Sequence, residues 1–258
     1  MENNKVNLFI PCCVDMYIPE GPVALTNLLQ KLGDTCQYLP EQTCCGRDFF
    51  MRGELESAKM LGEQFRNTFC YTIGKNSVMN TDPIVVPSSS CVSYVKKNFG
   101  ELFSTTALPA AITHLKNDMH EICDYIVNVK GVSKLDNRFN HKVFYFQSCC
   151  ARNDCEVSNE AAQILLKNTD GLTFITDPNM KLCCSANNDF ALNNNEIAEC
   201  MLKAIADKVL ESGAEYLTST DPSCLQFIDA YFSSHANEYD KITVIPITEI
   251  LLSHEETK

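Results

Sequence analysis

The sequence lacks a hydrophobic run long enough to cross a membrane. Its longest apolar stretches, such as Val143–Phe146 and Ile242–Ile247, have the length of strands, whereas a membrane-spanning helix needs about 20 apolar residues. The segment Met1–Val6 is polar, and it lacks the apolar region and the small-residue cleavage site of a signal peptide. We therefore expect a cytoplasmic protein without a transmembrane segment.

Positive charge is also scarce. The 258 residues include 21 Lys and Arg against 33 Asp and Glu, which gives a formal net charge of −12. A strongly acidic protein repels phosphate backbones, so we expect no nucleic acid among its partners. Hydrophobic residues make up 45% of the chain, which is enough for a folded core and argues against global disorder.

The short motifs of nucleotide-binding and zinc proteins are missing as well. The sequence contains no GxGxxG, no Walker loop and no HExxH, so it has no fingerprint of a bound nicotinamide, flavin or nucleotide. It contains no CxxC either. Structural zinc sites usually have one, because the two-residue gap lets a single loop supply two sulfurs.

Cysteine, by contrast, is abundant, with fifteen residues in the chain. A disulfide framework is disfavoured because the number is odd and the cytosol keeps thiols reduced. Five cysteines stand outside any pattern and are expected to be packed in the core or placed on the surface. They are Cys36, Cys70, Cys123, Cys155 and Cys200.

The other ten cysteines lie in three motifs that occur in the same order in each half of the chain. The first cysteine pair is separated from the second by 30 residues in the first half and by 32 in the second half. The second pair is separated from the last cysteine by 45 residues in the first half and by 39 in the second half. This agreement in order and spacing indicates an internal repeat. The motifs are Phe9–Cys13, Thr43–Gly46 and Pro87–Cys91, then Phe146–Cys150, Leu182–Ser185 and Thr220–Cys224.

Strand-like and helix-like segments also alternate in the same order in both halves. The pattern predicts an α/β fold of two similar halves, each a small parallel βαβ sheet with helices on both faces, related by a pseudo-twofold internal repeat. We place the boundary in the polar stretch near Gly131–Asn140, which gives domains of residues 1–135 and 136–258. The predicted strands are Val6–Ile10, Thr35–Leu39 and Pro83–Val86, then Lys142–Gln147, Leu172–Thr176 and Ala214–Thr218.

Helices are predicted between these strands, and each half is expected to close with an amphipathic segment, Ile122–Val127 or Ile247–Leu252. One helix of the second half has an apolar residue at every fourth position, which predicts a single buried stripe. The members of this stripe are Ile197, Met201, Ile205 and Val209. The other predicted helices are Pro22–Leu32, Val92–Phe99, Asn159–Lys167 and Leu225–Phe232.

All three cysteine motifs of each half follow a predicted strand. Because the carboxyl ends of parallel strands meet at one edge of a sheet, we expect the cysteines of each half to converge there. Thiolates are soft ligands that select zinc, copper(I) or iron–sulfur clusters. Neighbouring thiolates do not easily bind one small ion, and five thiols in each half exceed the four that a zinc site or a cubane cluster needs. The pattern therefore favours a polynuclear cluster and leaves zinc as the alternative.

The candidate ligands are the cysteines of these motifs. Each vicinal pair after the first strand of a half has a second cysteine, Cys13 or Cys150. These two are interpreted equally well as additional ligands or as residues without a ligand role beside the better candidates Cys12 and Cys149. Arg47, which follows Gly46, is interpreted either as a donor to cluster sulfurs or to a partner's carboxylate, or as a solvated side chain. The main candidates are Cys12, Cys44, Cys45 and Cys91 in the first half, and Cys149, Cys183, Cys184 and Cys224 in the second.

These motifs resemble the cysteine-rich CCG domain. This domain occurs twice in one of the subunits of heterodisulfide reductase, in the iron–sulfur subunit of glycolate oxidase and in the lactate-utilization protein A group. The motifs resemble those of the last group most strongly. The resemblance extends from Val6 to about Leu252. The residues that carry it are Leu8–Met16, Gln42–Gly46 and Pro87–Cys91, followed by Glu101–Phe103.

The resemblance implies a cytoplasmic electron-transfer subunit that works with other iron–sulfur proteins in oxidising L-lactate to pyruvate. It also implies 4Fe–4S clusters, non-cubane in the heterodisulfide reductase relative, on the main candidate cysteines with Gly46 beside them. Two alternatives stay open: a disulfide or thiol reductase subunit of the heterodisulfide reductase type, and a structural zinc-binding scaffold.

The chain departs from the family pattern at three positions. The fuller motif ends in CxxC, but Ser88 and Asp221 stand three residues before the last cysteine of each half. The glycine after the second pair is kept as Gly46 and replaced by Ser185 in the second half. Since glycine lets the backbone adopt φ > 0 or approach a cluster, we expect the first half to be the stronger site and the second half the weaker.

Overall fold

The computed structural model of the protein describes residues 4–70, 72–73, 78–79, 82–104, 109–186 and 188–254. The chain divides into two compact units, Met1–Ile122 and Cys123–Lys258. The domain boundary between residues 135 and 136 stays a prediction. Among the described residues no helix is both long enough and apolar enough to cross a bilayer.

The first unit contains a sheet of four parallel strands in the order β2-β1-β5-β6. The chain runs from β1 outward to β2 and then returns to the other side of β1. Because such crossovers are right-handed, the two connections place their helices on opposite faces of the sheet. The strands of this sheet are β1 Lys5–Leu8, β2 Thr35–Tyr38, β5 Ile84–Val86 and β6 Met119–Glu121. A separate two-stranded antiparallel sheet consists of β3 Thr72–Ile73 and β4 Val78–Met79.

Two helices of the first unit correspond to the predicted helices Pro22–Leu32 and Val92–Phe99, with shifted ends. The predicted helix Val92–Phe99 begins earlier, because the Ser88 hydroxyl accepts a hydrogen bond from the Cys91 amide at 3.4 Å and caps it. Phe9, just after β1, packs its ring at 4.8 Å from that of Phe65. The helices are α1 Cys12–Tyr17, α2 Gly21–Lys31, α3 Arg47–Met51, α4 Leu55–Phe69, α5 Ser89–Leu102 and α6 Pro109–Asp118.

The second unit repeats this topology. Its four parallel strands lie in the order β10-β9-β7-β8, which is the order of the first sheet read from the other side. The predicted α/β fold of two similar halves is confirmed. The strands are β7 Lys142–Tyr145, β8 Thr173–Ile175, β9 Tyr216–Thr218 and β10 Thr243–Val244.

The fourth strand of each sheet was not predicted as part of the repeat. β6 and β10 have three and two residues, too few for a pattern of alternating polarity to appear. They are strands because they pair with β5 and β9 at the edge of each sheet. A contact of this kind joins residues far apart in the chain and leaves no local signal.

Two predictions about helices of the second unit need correction. The Ile197 side chain is 55% exposed, so the apolar stripe is buried only toward its end, where Ile205 and Val209 are fully buried. Ile122–Val127, predicted to close the first half, lies almost wholly in the second unit, where it packs against α9. The helices are α7 Ile122–Asp124, a π-helix Tyr125–Val129, α8 Cys149–Asp154, α9 Glu156–Lys167, α10 Asn188–Asn193, α11 Asn195–Glu211, α12 Pro222–Ser234, α13 Ala236–Tyr239 and α14 Ile247–Leu252.

Candidate metal centre

The cysteines of the first unit meet at the carboxyl edge of its sheet, as the sequence predicts. Cys12 begins α1 directly after β1, and Cys91 lies in the first turn of α5 after β5. Cys44 and Cys45 lie in the loop after β2. The strands β2, β1 and β5 are neighbours in the sheet, so the three segments reach the same place, which is the position where the strand order reverses.

The sulfurs of this group are arranged in contacting pairs. Cys12 Sγ lies 3.6 Å from Cys44 Sγ, and Cys45 Sγ lies 3.7 Å from Cys91 Sγ. The two members of the vicinal pair therefore face different partners. Cys12 is exposed, whereas Cys45 and Cys91 are only 2% and 6% exposed. The group runs from the surface of the unit into its interior.

The surroundings of this group favour a thiolate on Cys44. Hydrogen bonds from Cys12 and Cys45 lower the pKa of the Cys44 thiol, and the Gly46 amide and the charge of Arg47 contribute in the same direction. The pKa of Cys12 is raised, chiefly by its hydrogen bond to Cys44. An anion at this position is what a cationic metal centre would bind.

Gly46 provides a backbone geometry that brings its amide to the thiolate. It has φ +90°, and its N–H donates to Cys44 Sγ at 3.4 Å. A Cβ at this position would stand 3.0 Å from the Ala58 carbonyl oxygen, which is tighter than ordinary packing. The conformation therefore favours glycine, and the narrow space beside Ala58 favours it further.

A glutamine of the second motif fixes the loop that carries Cys44 and Cys45. The Gln42 side chain accepts a hydrogen bond from the Ile10 amide at 2.8 Å. Its amide group donates to the carbonyl oxygens of Leu8 at 3.3 Å and Leu39 at 3.1 Å. This side chain thereby ties the loop after β2 to the end of β1, next to Cys12.

The second unit repeats the arrangement with four corresponding thiols. Cys149 Sγ lies 4.0 Å from Cys183 Sγ, and Cys184 Sγ lies 2.6 Å from Cys224 Sγ. Hydrogen bonds from Cys149 and Cys184 lower the pKa of the Cys183 thiol. Hydrogen bonds with Cys150 and Cys183 raise the pKa of Cys149, so Cys150 also belongs to the group.

Ser185 takes the same kind of backbone conformation as the glycine it replaces. Its φ is +60°, the only positive value of a non-glycine residue within the described ranges. Its amide hydrogen bond also lowers the pKa of Cys183, as the Gly46 amide does for Cys44. The sequence argument that serine weakens the second site through the backbone is therefore not supported by this geometry.

Three polar side chains near the thiols were not identified as site residues from the sequence. The Asp221 carboxylate is 2% exposed and raises the pKa of Cys184 and Cys224. Arg152 lowers the pKa of Cys183 and donates to the Met180 carbonyl at 3.2 Å. The Tyr94 hydroxyl is buried without a hydrogen-bond partner among the described residues. Asp221 was noted only as a departure from CxxC, and the other two lie outside the motifs.

The chemistry of the donors fits a thiolate-bound metal centre, although they do not surround a single point. No group of three or more His, Cys, Asp or Glu side chains could hold one ion in the part of the chain that the structure describes. The contacting sulfurs form pairs instead, with an amide donor at Gly46 and an unpartnered hydroxyl at Tyr94 nearby. Metal ligands and the hydrogen-bond donors that orient and tune them are the usual components of such a site.

A family model for the cysteine-rich CCG domain matches residues 6–96 and 143–229, which contain both groups of thiols. The chain belongs to this CCG family. It is 30% identical over 252 residues to lactate utilization protein A of Oceanobacillus iheyensis, covering 98% of each chain. It is 29% identical over 249 residues to the protein of the same name from Bacillus cytotoxicus, covering 96% of this chain and 99% of that one.

A solved structure also resembles this CCG protein. A hypothetical protein from Helicobacter pylori superposes with a TM-score of 0.57 at 11% identity, over 100% of this chain and 50% of that one. At this identity the likeness concerns the fold alone. The resemblance to the CCG family that the sequence motifs indicate is thus confirmed by the family match and by relatives of almost equal length.

Proposed function

We propose that this CCG protein is a cytoplasmic iron–sulfur electron-transfer subunit of a complex that oxidises L-lactate or a related 2-hydroxy acid. The observation that carries the proposal is the doubled group of four thiols, each group at the carboxyl edge of a parallel sheet. The names of the relatives support lactate as the substrate of the complex. Other iron–sulfur subunits would donate and accept the electrons.

The residues have separate tasks in this proposal. A 4Fe–4S cluster, when bound, supplies a one-electron carrier. Ligation is assigned to Cys12, Cys44, Cys45 and Cys91 in the first unit and to Cys149, Cys183, Cys184 and Cys224 in the second, with Cys13 and Cys150 as additional thiols. The buried members exclude water from the interior side of each centre, while the exposed Cys12 faces solvent, where electrons could enter or leave.

Anaerobic metal analysis tests this function. Protein purified or reconstituted without oxygen should be brown, contain iron and acid-labile sulfide, and give an EPR signal in one redox state. The Cys44→Ser variant should lose the centre of the first unit, whereas Cys200→Ser, at an exposed position on α11 outside the sites, should keep it. Colourless, iron-free protein after careful reconstitution would refute the proposal.

A structural zinc site is the second candidate, and two sulfur separations in the first unit fit it, although the described thiols form pairs that do not surround one point. Two thiolates on one tetrahedral zinc lie about 3.8 Å apart, given a Zn–S distance of about 2.3 Å. The separations of 3.6 and 3.7 Å in the first unit are close to this value. Zinc at one ion per unit, unchanged by reconstitution with iron and sulfide, would support this interpretation over electron transfer.

A thiol–disulfide reductase role is the third candidate, favoured by the exposure of one sulfur. Cys12 is accessible to solvent and contacts Cys44, whose thiol has a lowered pKa. An accessible thiol beside a stabilised thiolate suits attack on a disulfide. Reduction of a disulfide substrate by the loaded protein, with loss of activity in Cys12→Ser, would distinguish this function from electron transfer alone.

A further inference from the structure

The Tyr94 hydroxyl is a buried polar group that lacks a hydrogen-bond partner among the described residues. The residue is only 3% exposed. Buried hydroxyl groups are normally paired, because an unpaired one loses its bonds to water and gains none in return. A hydroxyl in this state indicates an acceptor that the described residues do not supply.

The position of Tyr94 points to the thiol group of the first unit. Tyr94 follows Cys91 by three residues on α5, so the two side chains lie on the same face of the helix. Its ring lies 5.4 Å from that of Phe50, on the short helix α3 that follows Gly46. The Tyr94 ring thus joins α5, which carries Cys91, to α3, which begins just after Cys44 and Cys45.

The orientation of the ring is held on its other side as well. Tyr94 contacts Phe99 edge to face, with the ring centroids 5.5 Å apart. A ring packed against Phe50 and Phe99 has little freedom to turn its hydroxyl elsewhere.

The electrostatic surroundings keep the hydroxyl protonated. Burial raises the pKa of Tyr94, and the nearby Cys45 and Cys44 thiols raise it further. A protonated phenol is a hydrogen-bond donor. A donor on the face of α5 that carries Cys91 suits an anionic sulfur acceptor.

We propose that Tyr94 is a positioning residue that donates its O–H to a sulfur atom of the metal centre in the first unit and stabilises the reduced form of that centre. This inference rests on the proposed iron–sulfur function. Reduction adds negative charge to the centre, and a donor hydrogen bond is stronger to the more negative state. The bond would therefore raise the reduction potential.

The second unit contains a natural comparison. Phe227 is three residues after Cys224 on α12, the place that Tyr94 occupies relative to Cys91 on α5. Phenylalanine has no hydroxyl, so the donor exists in the first unit alone at this position. Two centres with corresponding thiols would then differ in potential.

The experiment compares variants of a full-length background protein. This background carries Cys183→Ser and Cys184→Ser, so that its second unit cannot bind iron. Each protein is reconstituted anaerobically with iron and sulfide, and its potential is measured by an EPR-monitored redox titration. Tyr94→Phe should lower the potential by roughly 60 mV, a tenfold change for one electron. The matched control Phe227→Tyr should leave the potential unchanged. An unchanged potential in Tyr94→Phe would overturn the inference.

A second measurement separates this role from a purely structural one. In metal-free protein, Tyr94→Phe removes an unpartnered hydroxyl, so the denaturation midpoint should stay the same or rise. If the Tyr94→Phe variant assembles no centre, the potential is measured instead in the background protein with fluorotyrosine in place of tyrosine. Because it is a stronger donor, the potential should rise, and an unaltered value would overturn the inference.

The outcomes also separate the inference from the function on which it rests. If the background protein takes up no iron and sulfide, the proposed function fails and this role fails with it. If it takes up both and the tyrosine changes leave the potential unchanged, the function stands and only the role of Tyr94 is refuted.

Discussion

Gly46 and Ser185 share a left-handed backbone at the same place in the two units. Their φ values are +90° and +60°, and each amide lowers the pKa of the first thiol in the preceding pair. The two residues differ in the space beside them. A Cβ at Gly46 would press on the Ala58 carbonyl oxygen at 3.0 Å, whereas the Ser185 hydroxyl lies 3.4 Å from the Met201 sulfur.

Exchanging these two residues should have opposite effects. Gly46→Ser should lower the free energy of unfolding by about 2 kcal/mol, because a side chain disfavours the left-handed region by about 1–2 kcal/mol and also meets Ala58. Ser185→Gly should raise it by roughly 0.5 kcal/mol, since relief of that strain exceeds the added entropy of the unfolded chain. Chemical denaturation of the metal-free variants measures both, and equal effects of the same sign would contradict this prediction.

The second prediction is that a substitution in one unit removes the metal centre of that unit alone. Cys45 and Cys184 are buried thiols in different units. Cys45→Ala should remove the centre of the first unit and Cys184→Ala that of the second, so each should lower the iron content of a doubly loaded protein by about half. Iron and sulfide analysis after reconstitution checks this, with Cys36→Ala as a control outside the thiol groups. If either variant lost all iron, the sites would not be independent.

Gln42 provides a test of the loop that carries the second pair. Gln42→Glu should lower the free energy of unfolding by about 2 kcal/mol, because a carboxylate replaces a donor that faces the carbonyl oxygens of Leu8 and Leu39. Iron uptake by the first unit should fall with it, since the loop positions Cys44. Thermal denaturation and metal analysis measure the two effects. The exposed Gln64 on α4 supplies the control Gln64→Glu, which should change neither.

The pH dependence of stability in the second unit should respond to Tyr239. Its hydroxyl donates to Asp207 Oδ1 at 2.7 Å, and this bond, with Lys203, lowers the pKa of the carboxyl group. A carboxyl with a lowered pKa contributes stability above its unfolded value, about 3.9, and that contribution is lost as pH falls through the folded value.

Tyr239→Phe should therefore lower the free energy of unfolding by roughly 1 kcal/mol at neutral pH and by little at the lowest pH. This figure is discounted because Asp207 is partly exposed. Denaturation between pH 3 and pH 7 measures the difference. Tyr216→Phe, also in the second unit, should leave the pH dependence unchanged. A cost for Tyr239→Phe that did not diminish on acidification would contradict the assignment.

The repeat, the alternation of strands and helices, and the position of each cysteine motif just after a strand can all be predicted from the sequence alone. These are local properties. A run of apolar residues such as Val143–Phe146 favours a buried strand, and Ser88 caps a helix through the amide of a residue three positions away. Convergence of the thiols followed from these facts because the ends of neighbouring parallel strands share one edge.

Which atoms meet at that edge depends on how the elements are arranged in three dimensions. That Cys44 faces Cys12 while Cys45 faces Cys91 depends on the order β2-β1-β5, which joins segments more than 30 residues apart. The left-handed backbone at Ser185 and the burial of Tyr94 beside the thiols come from packing against residues distant in the chain. Contacts of this kind depend on how whole elements are arranged in space, and no local pattern encodes them.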